Sequence, residues 1–139
     1  MIRPATLADY PKLIPLFQQA LDNSPFTNKK LDLLHIQRLI TVALATPNFF
    51  CEVVEVDGEI TGVLGGSIYR NAWGALVASD IIFYATGGSG SLLRHFKAWA
   101  KSMDAEAIIV TDLSGNRRFN KLINCLGLSP VGKTFARIW

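Results

Sequence analysis

The sequence has no long hydrophobic run, although half of its 139 residues are hydrophobic. No apolar stretch reaches the roughly 18 residues that a membrane-spanning helix needs. The opening Met1-Ile2-Arg3-Pro4 also lacks the apolar core of a signal peptide. We therefore expect a cytoplasmic protein without a membrane-spanning segment.

Cysteine and histidine are equally scarce. Cys51, Cys125, His35 and His95 are too few and too widely spaced to form a disulfide framework or a metal-ligand pattern. Both cysteines lie among apolar residues, which favours buried free thiols. We expect no metal site.

The sequence also has no dense basic cluster. Its formal net charge is +3 and its pI is near 9.0, but the basic runs are only the pairs Lys29-Lys30 and Arg117-Arg118. Nucleic-acid-binding proteins usually carry a basic stripe, so nucleic acid is not an expected partner. A mild positive charge is compatible with a small polyanionic ligand. The length and composition predict one globular domain over residues 1–139.

The most informative stretch is a strand, a glycine loop and a helix in succession. The apolar run Ile81–Tyr84 predicts a buried strand, and a glycine cluster, Gly87-Gly88-Ser89-Gly90, ends it. Helical spacing follows at Leu92, Leu93, Phe96, Trp99, Ala100 and Met103. The first amides of a helix have no partner within the helix and can bind phosphate. The alternative is a plain turn that needs glycine for its backbone angles.

The rest of the pattern predicts a mixed α/β (α+β) chain with the order β-α-α-β-β-β-α-β-α-β. Thr6 and Asp9 resemble a capping box at the first helix, and Asp57-Gly58 predicts a tight hairpin. The chain is predicted to begin with an extended segment, Ile2–Ala5, and two helices, Tyr10–Leu21 and Asn28–Ala45. Three strands, Phe49–Val56, Ile60–Tyr69 and Ala75–Tyr84, lead into the glycine loop and its helix. A parallel strand Ala107–Val110, buried on both faces, then precedes a helix through Phe119–Leu126 that ends at Gly127 and a final edge strand Val131–Trp139.

Several of these segments resemble the GNAT superfamily of N-acetyltransferases. The resemblance rests on Ile2-Arg3-Pro4-Ala5-Thr6 with Asp9 and Leu13, on Gly58-Glu59-Ile60-Thr61-Gly62, on the glycine loop, and on Asn116 with Leu122, Ile123, Gly127 and Leu128. It implies an acyl-CoA N-acyltransferase fold with a mixed sheet of about six strands and four helices. It also implies acetyl-CoA as co-substrate and an amine acceptor. Small acetyltransferase-like proteins of bacterial viruses are similar.

The sequence departs from the family pattern at three places. Ala85 stands where the family has Gln or Arg before the Gly-x-Gly of the loop, and the loop is about three residues shorter. No tyrosine follows Tyr84, so the fourth helix lacks the tyrosine that often protonates the leaving thiolate. Gly127-Leu128 replaces a Gly-Phe pair.

The resemblance also implies which residues bind acetyl-CoA. Backbone amides of Phe83, Tyr84 and Ala85 would hold the pantetheine arm and the thioester carbonyl. Those of Gly87, Gly88, Ser89, Gly90 and Ser91 would hold the pyrophosphate. Asn116 would contact the pantetheine arm, and Arg117, with Arg118 and Lys121, would face the phosphates. Ordinary strand pairing, helix capping by Asn116 and a solvated helix face are the alternatives.

Asp80 is the leading candidate for the general base. An acid in an apolar strand is costly to bury, and burial raises its pKa toward a useful value. Strand alternation predicts that Asp80 and Tyr84 share a face. Glu52 is the second candidate base, and Tyr84, Ser114 or water could protonate the thiolate. A paired or edge aspartate is the alternative.

Two functions from other classes stay open. The fold could be a catalytically inactive scaffold that binds a protein partner, for example in a virus particle, or a sensor that binds CoA without transfer. The apolar Val131–Trp139 segment could mediate a homodimer. Phe26 is a candidate for the acceptor pocket, while Trp73 and Trp99 are expected to pack internally.

Overall fold

A computed structural model describes residues 1–26, 28–111, 117–132, 135 and 137–139, with the backbone alone described for 117–120. A short 3-10 turn at Leu7–Asp9 precedes the first helix. The strands and helices are β1 (Ile2–Pro4), α1 (Tyr10–Asp22), α2 (Leu33–Ala45), β2 (Phe49–Val56), β3 (Glu59–Arg70), β4 (Leu76–Ala85), α3 (Ser89–Ser102), β5 (Ala107–Ile109) and α4 (Arg117–Cys125). This order confirms the predicted succession of elements as far as α4.

The strands form one five-stranded sheet in the order β1-β2-β3-β4-β5. Neighbours from β1 to β4 are antiparallel, and β5 is parallel to β4, as expected for a crossover through α3. The β2–β3 hairpin turns at Asp57 and Gly58, which both have positive φ. The Asp-Gly signal in the sequence therefore marked the turn correctly.

Each face of the sheet buries its own hydrophobic cluster. On the side of α1 and α2 the cluster includes Leu13, Leu16, Phe17, Ile40, Val53 and Val63. On the side of α3 it includes Phe50, Leu64, Leu92, Leu93, Phe96 and Ala100. Trp99 stacks on Phe96 at 5.7 Å between ring centroids, which confirms its predicted packing role. The sheet is thus the middle of a three-layer core on which loops at one end can be positioned.

A charged network ties the first strand to the first helix. Arg3 donates two hydrogen bonds to the buried Asp9 carboxylate, at 2.7 and 2.8 Å, and one to Glu55. Asp9 also accepts from the Thr6 backbone N–H at 2.8 Å, as the predicted capping box requires. Paired in this way, a carboxylate with 4% exposure is fully satisfied.

Three segments differ from the prediction, in their start, their burial or their presence. α2 begins at Leu33 and not at Asn28, because Asp32 caps it by accepting a hydrogen bond from the His35 N–H at 2.9 Å. β5 is not buried on both faces: it pairs with only three residues of β4 and lies at the edge of the described sheet. The predicted final strand is absent from the described residues 131–132, 135 and 137–139, of which Val131 and Trp139 are 89% and 96% exposed.

Two side chains expected to be buried are at the surface. Trp73 is 89% exposed, because it lies in the turn between β3 and β4 and contributes to neither core cluster. Cys125 is exposed near the end of α4, whereas Cys51 is partly buried. Among the described residues, no helix is long and apolar enough to cross a membrane.

Candidate active site

The described pairing between the last two strands of the sheet ends next to Asp80. β5 pairs with β4 at Val77, Ala78 and Ser79, whereas β4 continues to Ala85. Just past the last pair, the backbone N–H of Thr111 donates a hydrogen bond to Asp80 Oδ1 at 3.0 Å. Asp80 therefore lies at the end of the described ladder between β4 and β5.

A β-bulge in β4 changes the direction of the side chains that follow it. Asp80 pairs with Gly66 and Ile82 with Gly65, so Ile81 is an extra residue in the ladder. Gly66 faces Phe96 of α3, and Tyr84 packs in the cluster on the α1 side. The prediction that Asp80 and Tyr84 share a face is wrong, because the bulge interrupts the alternation between them.

The Asp80 side chain is largely removed from water. Burial raises the pKa of its carboxyl from 3.8 to about 6, and the hydrogen bond from Thr111 offsets part of that rise. Such a group is ionised at neutral pH yet basic enough to accept a proton. Asp80 thus has the electrostatic properties that the sequence pattern predicted for it.

A cleft of about 1030 Å³ runs along the C-terminal half of β4. Asp80, Phe83, Tyr84 and Ala85 line it, together with Phe26 from the loop after α1. Ile81 also lines the cleft and is 50% exposed, so the predicted buried run is not buried there. Ile81 borders the cleft, whereas Ile82 and Phe83 pack against the core clusters on the two faces of the sheet.

Tyr84 projects toward the end of α1. The amide nitrogen of Asn23 lies 3.4 Å from its hydroxyl oxygen, and its ring packs against the cluster that contains Leu13 and Phe17. Tyr84 lines the same cleft as Asp80, but from the opposite side of the strand. The two candidate catalytic groups therefore approach the cleft from different sides.

The glycine loop joins β4 to α3, and its glycines Gly87 and Gly88 have different surroundings. Gly88 has φ +77°, and a Cβ there would lie 2.9 Å from Val54, so the fold itself requires glycine. Gly87 has no such angle, and a Cβ added there would meet no atom within 4 Å; this residue lines the cleft with Ser89. The turn explanation thus accounts for Gly88, while Gly87 leaves open space in front of the α3 N-terminus.

Sequence reasoning missed one cation at this helix end. Arg94 donates a hydrogen bond to Ser91 Oγ at 3.2 Å, and its guanidinium lies 3.9 Å from where a Gly90 Cβ would be. The available signal was the i, i+4 spacing of Gly90 and Arg94, which places them on one helix face. A positive charge therefore adds to the dipole of α3 at the loop.

The remaining candidate site residues either lie outside the cleft or are not described. Glu52 contacts His95 Nδ1 at 2.8 Å on the α3 side and does not line the cleft. Arg117 begins α4, but its side chain and that of Arg118 lie outside the described residues, as do Asn116 and Ser114. Lys121 is exposed on α4. Among the described residues, no group of three or more His, Cys, Asp or Glu could hold a metal ion.

No known sequence family and no curated protein sequence matches the chain. Several solved structures are similar to the chain in fold. Ribosomal-protein-alanine N-acetyltransferase from Brucella melitensis is 21% identical with a TM-score of 0.80 over 95% of this chain and 86% of its own. Glucosamine-6-phosphate N-acetyltransferase from Arabidopsis thaliana is 16% identical, with a TM-score of 0.75 over 100% and 97%. Aminoglycoside 6'-N-acetyltransferase from Acinetobacter haemolyticus is 15% identical, with a TM-score of 0.74 over 100% and 97%.

The chain has the GNAT fold. The resemblance read from scattered motifs is confirmed at the level of fold by these neighbours, which cover nearly the whole chain. Five strands are present among the described residues where about six were expected. In the GNAT fold of this chain, the cleft and the glycine loop meet at the C-terminal end of β4.

Proposed function

We propose that the protein is an acetyl-CoA-dependent N-acetyltransferase that acts on an amine by direct transfer. The observation that carries the proposal is the cleft that extends along β4 from Asp80 to Ala85 and on to Gly87 and Ser89 at the N-terminus of α3. The GNAT fold supports the reaction class. Fold alone does not establish activity, so the proposal depends on the local geometry.

Acetyl-CoA fits the features of the cleft and loop. The part of β4 that lines the cleft at Phe83, Tyr84 and Ala85 would bind the extended pantetheine arm, and the α3 amides with Gly87 would bind the pyrophosphate. Arg94 would contribute a charge to the same phosphates. Contacts from Asn116 and Arg117 also belong to the proposal.

The chemistry requires a neutral amine, a polarised thioester and a departing thiolate. Asp80 would accept the proton that the amine loses, because burial holds the pKa of its carboxyl at about 6. Tyr84 or water would return a proton to the thiolate. Placement of Asp80 and Tyr84 on opposite sides of one strand supports separate roles. Much of the rate would come from positioning the two reactants.

Calorimetric titration with acetyl-CoA tests the proposal. The native chain should bind with micromolar affinity, and Gly87→Glu should abolish binding, because its carboxylate would oppose the pyrophosphate in a space that tolerates a side chain. Ala98→Glu is the matched control, since it adds the same charge at an exposed position further along α3. Absence of binding by the folded native chain at millimolar acetyl-CoA would refute the proposal.

A protein-binding scaffold is the second candidate. It is favoured by Ala85 in place of Gln or Arg, and by the exposed leucines Leu33 and Leu34 on α2, which are 46% and 56% exposed. A scaffold would bind no acetyl-CoA. A CoA sensor would bind it but release no acetylated product with any amine, so product analysis separates the sensor from the enzyme.

A further inference from the structure

The cleft has a strongly apolar wall on the side away from the glycine loop. α1, the loop after it and α2 contribute this wall, whose residues include Phe17, Leu21, Phe26, Ile36, Leu39 and Ile40. Phe26 and Leu39 are 45% and 39% exposed, so they present apolar surface to the open cleft. Apolar surface of this kind favours an apolar ligand.

The described lining of the same cleft carries little charge. Among the described residues that line it, Asp80 is the single carboxylate, and none is lysine, arginine or histidine. A phosphorylated acceptor would need a cation to replace water around its phosphate. An acceptor with several ammonium groups would need several carboxylates for the same reason.

We propose that the acceptor is a monoamine carried on an aromatic or branched aliphatic body, without a phosphate group. The inference rests on the proposed function and names its substrate class. The apolar body would lie against the wall of α1 and α2, and the single amine would face Asp80. One ammonium group matches the one carboxylate among the described residues that line the cleft.

The transfer follows from this placement. The bound ammonium group gives one proton to the Asp80 carboxylate, and the neutral nitrogen attacks the thioester carbonyl carbon of acetyl-CoA. A C–N bond forms, the C–S bond breaks, and the electron pair leaves with the sulfur. The products are an N-substituted acetamide and the CoA thiolate, which takes up a proton. The second amine proton is lost to water, and Asp80 later releases its own.

A comparison of three amines tests the substrate class. Phenethylamine, glucosamine 6-phosphate and kanamycin are each incubated with acetyl-CoA, and the acetylated product is quantified by chromatography. We expect kcat/KM for phenethylamine to exceed that of either polar amine by at least about tenfold, since apolar contacts alone discriminate by such factors. Preference for a polar amine, or no product from millimolar phenethylamine, overturns the substrate class if acetyl-CoA binds. Failure of acetyl-CoA to bind overturns the proposed function itself.

Two leucines of α2 provide a matched pair of variants. Leu39 lines the cleft, whereas Leu34, which is 56% exposed, does not. Leu39→Gln should raise KM for phenethylamine about tenfold with little change in kcat, and Leu34→Gln should leave both unchanged. Ligand-observed NMR of phenethylamine with the CoA-bound protein gives a readout independent of turnover, which Leu39→Gln should abolish. Equal effects of the two variants would overturn the proposed position of the acceptor.

Discussion

The Thr111 N–H and the Asp80 carboxylate meet across the gap between β4 and the chain that follows β5, at 3.0 Å. This contact lies just beyond the described ladder between β4 and β5, whose last pair is Ser79 with Ile109. It holds the carboxylate in place and supplies one donor to a group that is otherwise poorly solvated. The position of Asp80 therefore depends on the backbone of both strands.

Asp80→Asn should abolish most acetyl transfer. An amide cannot accept the proton, although it can still accept the Thr111 hydrogen bond, so we expect kcat to fall by about 10²-fold or more. In the native protein, kcat should rise with pH and level off above a pKa of about 6, where the buried carboxyl ionises. The measurement is the pH profile of kcat, with acetyl-CoA affinity as the control. An unchanged acidic limb in Asp80→Asn would exclude Asp80 as the base.

Asp80→Asn should increase the stability of the protein, whereas it lowers the activity. Burial raises the pKa of Asp80 from 3.8 to about 6 in the folded chain, so the native state binds this proton more tightly than the unfolded state. The contribution of Asp80 to stability therefore decreases as pH rises from about 4 to 6. At about 1.4 kcal/mol per pKa unit, Asp80→Asn should gain at most about 3 kcal/mol relative to the native protein between about pH 3 and pH 8. Urea unfolding at both pH values measures this difference.

Gly87 and Gly88 should respond differently to alanine. Gly88→Ala places a Cβ 2.9 Å from Val54 in a residue with φ +77°, so we expect a loss of about 1–3 kcal/mol. Gly87→Ala meets nothing within 4 Å, so it should be neutral or stabilise by up to about 1 kcal/mol. Thermal unfolding of the two variants gives the comparison. Equal destabilisation would show that the loop constrains both glycines.

Arg94→Gln should weaken acetyl-CoA binding without affecting the fold. Arg94 is exposed and lies beside the first turn of α3, so its loss should cost roughly two- to fivefold in affinity at low salt. The control is Lys101→Gln, which removes the same charge from the other end of α3. Titrations at low and high salt check the result, because the difference between the variants should shrink as salt screens the phosphates.

Arg3→Met should lower the stability at neutral pH and make the stability less dependent on acid pH. The hydrogen bonds from Arg3 hold the pKa of Asp9 at about 2, below its usual 3.8. That contribution is fully present above pH 3.8 and is lost as pH falls toward 2. We expect a lower Tm for Arg3→Met at neutral pH and a smaller further loss between about pH 4 and 2 than in the native protein. Circular dichroism melts across that range measure both effects.

The sequence predicted the positions of helices, strands and turns more accurately than it predicted which side chains are exposed. Asp57-Gly58, the capping pair Thr6 and Asp9, and the left-handed Gly127 all appear where local chemistry placed them. The alternation of side chains along β4 failed at Ile81, because the register shift opposite Gly65 and Gly66 places an extra residue there. The exposure of Ile81 at the cleft also depends on tertiary packing, which the apolar run alone does not report.

The sequence by itself determined the order of helices and strands, the parallel return of β5 and the strand–loop–helix unit at the glycines, because periodicity, caps and turns act over a few residues. Only the tertiary structure decided that Asp80 and Tyr84 lie on opposite sides of β4, that Gly88 is glycine because of Val54, and that Arg94 joins the loop. These relationships depend on register and packing between distant segments. The cleft likewise needs α1, α2 and β4 to be brought together.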